Sequence, residues 1–84
     1  MLETIVVAES ALKHGYSEDD VVYAWLNCAQ YDARRDSYNS VRLRLGPTLS
    51  GDLIELLGER RVYGWRVFHA MRPTAKTLRF FGLR

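Results

Sequence analysis

Residues 41–71 read VRLRLGPTLSGDLIELLGERRVYGWRVFHAM, and the period of this stretch decides the fold. Val41, Leu43 and Leu45 alternate with Arg42 and Arg44, which predicts a strand with one apolar and one basic face. Gly46-Pro47 punctuates it, and Ser50-Gly51 closes a short loop. Leu53 to Leu57 is apolar on both faces except at Glu55, which suits a central strand, and Gly58 to Val62 extends it. Tyr63-Gly64 reads as a hairpin turn. Trp65 to Met71 is then a third strand, and Pro73, which has no N–H to give to a ladder, ends the pairing.

Upstream, the pattern changes near residue 30. Ile5, Ala8 and Leu12 fall on one helical face, and His14-Gly15 ends that segment, glycine being suited to the left-handed position after a helix. Ser17 opens a second helix: its hydroxyl can cap, Asp20 stands three residues on, and Glu18 and Asp19 favour the positive helix end. Val21, Ala24, Trp25 and Cys28 form its apolar stripe. A weaker strand is expected at 30–35, with a hairpin around 37–40. Thr74 to Phe81 predicts a short terminal helix stopped by Gly82. The expected fold class is α+β: two N-terminal helices packed on one face of a small antiparallel sheet of three or four strands, then a short C-terminal helix.

With 84 residues the chain is read as one domain, 1–84. Its one cysteine, Cys28, allows no internal disulfide and fits a reducing compartment. Neither a signal peptide nor an apolar run of about 20 residues is visible, so the expected location is the cytoplasm, away from membrane. Charge is unevenly spread. Residues 1–31 hold one base, Lys13, against five acids, a net −4, whereas residues 32–84 hold eleven bases against five acids, a net +6. No acid follows Glu59. Such a one-signed end favours an anionic partner, either nucleic acid or an acidic protein.

Strand alternation places Trp65, Val67, His69 and Met71 on one side and Arg66, Phe68, Ala70 and Arg72 on the other. His69 is then either a partly buried structural histidine or a working one. No metal-ligand cluster, phosphate-binding Gly-rich loop or Gly-x-Ser-x-Gly turn is present, so no cofactor and no metal are expected. A histidine among arginines suits metal-free RNA cleavage, in which a base takes the 2′-hydroxyl proton, guanidiniums hold the phosphate and an acid protonates the leaving oxygen. His69 is the candidate acid or base, and Arg66 and Arg72, which flank Phe68 on the other face, are the candidate catalytic guanidiniums that hold the phosphate. Arg42, Arg44, Arg60, Arg61 and Lys76 are the candidate RNA-binding cations. Interleaved aromatics, Tyr63, Trp65, Phe68, Phe80 and Phe81, serve either the core or base stacking.

Three segments in this order, KHGYSEDDV (13–21), GPTLSGDLIEL (46–56) and RVFHAMRPTAK (66–76), resemble the BrnT-like toxins and related small RelE-superfamily toxins. Lys13, His14, Gly15, Ser17, Gly46, Gly51, Leu53, Glu55, Ala70, Arg72 and Thr74 stand at the matching places. The resemblance implies the toxin of a type II toxin–antitoxin pair: a metal-independent endoribonuclease acting on messenger RNA, free or on the ribosome, and neutralised by a cognate antitoxin. It implies site roles for His14 and Arg72, whereas His69 rests on the chemistry above. His14 has a structural reading too, as a helix-terminal histidine bonded to carbonyls. The chain departs from the pattern in having no strand read ahead of the helices, and in Pro73. The competing expectation is a non-catalytic RNA- or protein-binding module with a toxin-like fold.

Overall fold

The computed structural model describes residues 3–83. Its centre is the meander read from residues 41–71: β3 (Val41–Pro47), β4 (Leu53–Arg61) and β5 (Gly64–Met71), paired antiparallel. A short β2 (Asp32–Arg34) adds to β3, and β1 (Thr4–Val7) adds to the far side of β5. The spatial order is β1-β5-β4-β3-β2. One α-helix, α1 (Glu18–Leu26), lies against one face, and α2 (Ala75–Phe80) follows the sheet.

The architecture remains α+β, but the expected two N-terminal helices on an antiparallel sheet of three or four strands are overturned. The sheet has five strands and is mixed, because β1 runs parallel to β5 with Thr4 opposite Gly64 and Val7 opposite Val67. The first expected helix is β1 plus a single 3-10 turn, Glu9–Leu12. The reason is local: Thr4-Ile5-Val6-Val7 is β-branched throughout, a composition that packs well on a pleated surface and poorly in a helix. The strand thought to be missing ahead of the helices is therefore β1. Only four residues of β5 are paired by it; beyond them Ala8 donates its N–H to the Val67 carbonyl and the Ser10 hydroxyl donates to Phe68.

The face under α1 holds the main core: Val21, Ala24 and Trp25 of the helix on Ile54, Leu56, Trp65, Val67 and Ala70 of the sheet. Ser17 caps α1, accepting the Asp20 N–H. Two glycines let the helix come close. A Cβ on Gly46 would stand 2.0 Å from the Ala24 carbonyl oxygen, and one on Gly58 would stand 2.5 Å from the Trp25 ring. Gly46-Pro47 closes β3 as its last two residues, and Gly46 is at the same time the notch under Ala24.

The opposite face carries Leu43, Leu45, Glu55 and Leu57, set there by the period of two. Part of it lies beneath α2, so the helices sit on both faces. Thr74 caps α2 by accepting the Thr77 N–H. Phe81 meets Tyr31 edge-on at 5.8 Å, which ties the end of α2 to the sheet edge. No helix among the described residues is long and apolar enough to cross a membrane.

Candidate functional site

A bulge in β5 makes the site. Leu57 faces His69 but Gly58 faces Val67, so Phe68 is an extra residue with no partner on β4. Side-chain alternation therefore slips by one. Trp65, Val67 and Ala70 point to the core beneath α1, while His69 joins Glu55 on the α2 face. This corrects the expected sorting, in which His69 shared a side with Trp65 and Val67.

His69 Nε2 lies 2.9 Å from Glu55 Oε2. The carboxylate is 6% exposed and also accepts the Thr74 N–H on Oε1, at 2.9 Å. Burial pushes its pKa up, but the Thr74 N–H, His69 and the Thr77 hydroxyl outweigh that and hold it below the ordinary value. A carboxylate only accepts, so Nε2 of His69 carries the hydrogen that faces Glu55, and in the neutral tautomer this fixes, Nδ1 is the acceptor nitrogen. The His69 side chain remains 26% exposed, enough for a ligand to reach it.

His14 is brought to this point by the chain start. The 3-10 turn lies along the half of β5 that β1 does not cover, and Gly15, with φ at +89°, turns the chain into α1. The exposed His14 ring then stands 6.4 Å from the His69 ring, centroid to centroid, at 70°. The two histidines, 55 residues apart in sequence, thus stand side by side, His69 being the one bonded to Glu55.

The arginines are divided. Arg72 follows β5 directly, is exposed, and enters no ion pair among the described residues. Arg66 gives its guanidinium to Glu59 at 3.0 Å, and Arg61 reaches the same carboxylate at 2.6 Å. Arg42 and Arg44 lie on the α1 face, bonded to Asp32 at 2.8 and 3.3 Å. Arg44 also stacks on Trp25 at 4.0 Å and helps line a cavity of about 570 Å³ with Trp25 and Trp65. Arg60 pairs with Glu3 and lies over Trp65. Of the expected RNA-binding cations, Arg42, Arg44, Arg60 and Arg61 are thus each bonded to a carboxylate, the first three on or beside the α1 face, although Arg42 and Arg44 share Asp32 and Arg61 shares Glu59 with Arg66. Lys76, on α2, stands on the face that holds Glu55.

Glu55 is the residue that reading for bases missed. Its signal was there: one acid in an otherwise apolar strand has to find a partner when buried. No three-residue group able to hold a metal ion occurs among the described residues. In comparison with known proteins, no family model, no curated protein and no solved structure matches this chain.

Proposed function

We infer that the chain is a metal-independent endoribonuclease, acting as the toxin of a type II toxin–antitoxin pair. The observation that carries the catalytic half is the Glu55–His69 bond with a second imidazole 6.4 Å from the first. Two imidazoles at that separation are close enough to reach opposite oxygens of one phosphodiester. His69 Nδ1 takes the proton of a ribose 2′-hydroxyl, and the 2′-oxygen attacks phosphorus. The bond from phosphorus to the 5′-oxygen breaks, and that oxygen takes a proton from the imidazolium of His14. The products are a 2′,3′-cyclic phosphate and a 5′-hydroxyl end. Glu55 fixes the tautomer and orientation of His69, as a buried carboxylate does in other acid–base sites. Arg72, with no carboxylate to neutralise it, supplies charge for the phosphorane.

The toxin half rests on the resemblance of the segments at 13–21, 46–56 and 66–76, which places His14 and Arg72 at matching positions. A cytoplasmic location and an antitoxin partner belong to the same reading. The ion pairs of Arg42, Arg44, Arg60 and Arg61 draw those side chains away from RNA and so favour the second reading in its protein-binding form, a module that does not cut.

Induced expression in a bacterial host, with growth and transcript integrity followed together, separates the two. Growth arrest with RNA cleavage, relieved by His69→Ala and persisting in purified protein treated with chelator, is the expected result. Removing one acid–base group should lower cleavage by about 10²- to 10⁴-fold. Normal growth with intact transcripts, or cleavage that His69→Ala leaves untouched, sinks the ribonuclease reading.

A further inference from the structure

Beside the histidines, and separate from them, lies a slot of about 170 Å³ between the sheet and α2. Leu43, Leu57 and Phe80 give it apolar walls, Arg35 and Lys76 line it, and the Glu55 carboxylate lies within it. Neither Arg35 nor Lys76 pairs with a carboxylate among the described residues. Phe80 is 60% exposed, yet it is braced: it meets Phe81 edge-on at 5.0 Å, and Phe81 in turn meets Tyr31. A large aromatic ring held half in water beside two unneutralised cations is an arrangement for a ligand that is flat, apolar on its faces and anionic at its rim.

We propose that this slot binds one nucleotide of single-stranded RNA, the base lying against Phe80 and its phosphates held by Arg35 and Lys76. In its placement beside His69 it deepens the ribonuclease reading: Glu55 lines the slot and is bonded to His69, so a base seated there is one carboxylate away from the reacting imidazole. The slot would then fix which nucleotide sits next to the cleaved bond. Bases stack on an aromatic face whatever their identity, and a guanidinium forks onto phosphate oxygens. An acidic peptide with an aromatic anchor would meet the same cations, but the site of 2′-hydroxyl chemistry next door favours RNA.

The test uses a 2′-O-methyl oligonucleotide, which has no free 2′-hydroxyl and reports binding alone. Its affinity for the full chain is read by fluorescence anisotropy. Phe80→Ala should weaken binding about 5- to 150-fold, the loss that removal of one stacking partner brings. Arg35→Gln with Lys76→Gln should weaken it and flatten its salt dependence. Circular dichroism checks that each variant is folded; since Phe80 and Lys76 are exposed, their loss leaves the core intact. Unchanged affinity in Phe80→Ala and in the double variant overturns the slot, as does a preference for an acidic aromatic peptide over the oligonucleotide. Slot-dependent binding without cleavage of unmodified RNA leaves the slot standing and removes the ribonuclease reading. Cleavage with slot-independent binding does the reverse.

Discussion

Glu55→Gln is the most informative single substitution, because the side chain keeps its shape and loses its charge. A glutamine can bond either tautomer of His69, so Nδ1 is no longer held as the acceptor. Under the ribonuclease reading kcat should fall about 10²-fold or more while KM moves little. Equal losses in kcat and in folding stability would make Glu55 a structural residue alone. The same carboxylate governs acid stability. Its folded pKa lies below its ordinary value of 4.5, so its stabilising contribution is full above that pH and is lost as pH falls through the depressed folded value. Asp32 acts in the same direction from its ordinary 3.8: burial opposes, but hydrogen bonds and charge from Arg42 and Arg44 win. The parent should therefore lose stability below about pH 4.5, and Glu55→Gln should flatten the upper part of that loss in an acid titration followed by circular dichroism. A parallel pH dependence in both proteins would contradict this assignment.

At the scale of elements, the contact between α1 and the sheet depends on glycines. Gly46 lies under Ala24 so closely that an added Cβ meets backbone, which no side-chain rotation can relieve. Gly46→Ala should push α1 away and cost about 1–3 kcal/mol or more, read as a lower denaturant midpoint with the slope unchanged. A midpoint equal to the parent's would mean that α1 has room to move. Glycine here was legible as punctuation of β3, and it serves as a packing notch as well. The bulge at Phe68 is the other decisive element-scale feature. Nothing in Trp65-Arg66-Val67-Phe68-His69-Ala70-Met71 marks it, since every residue suits a regular strand. It arises because both Val67 and Ala70 are buried in the core under α1, three residues apart where a plain strand allows two or four.

For the whole molecule, the net +6 of residues 32–84 overstates the charge free to meet RNA. Arg42, Arg44, Arg60, Arg61 and Arg66 are each within 3.3 Å of a carboxylate. Arg34, Arg35, Arg72, Lys76 and Arg79 have no such partner among the described residues, and the last four gather on or next to α2 and the end of β5. If these four carry RNA binding, log affinity against log salt should have a slope of about −3, at roughly 0.7 per contact with a single strand. Arg42→Gln should leave that slope alone. A slope twice as steep, or one that Arg42→Gln reduces, would return the paired arginines to the binding surface.

The strands of the meander, the cap of α1 at Ser17 and the drift of charge toward the C-terminal half can all be read along the chain. Each is a local property, set by side-chain period, capping chemistry or composition. The remaining features are set by contacts between distant parts of the folded chain. The parallel pairing of β1 with β5 joins residues about 60 positions apart: the β-branched tetrapeptide favours a strand locally, but which edge it joins depends on β5 leaving one open. The Phe68 bulge turns His69 away from the core, and the 3-10 turn then carries His14 to it. Ion pairing in the folded chain also sorted the arginines into those bonded to a carboxylate and those left free. Those outcomes depend on which distant groups compete for the same edge, core position or carboxylate, and that competition exists only once the chain is folded.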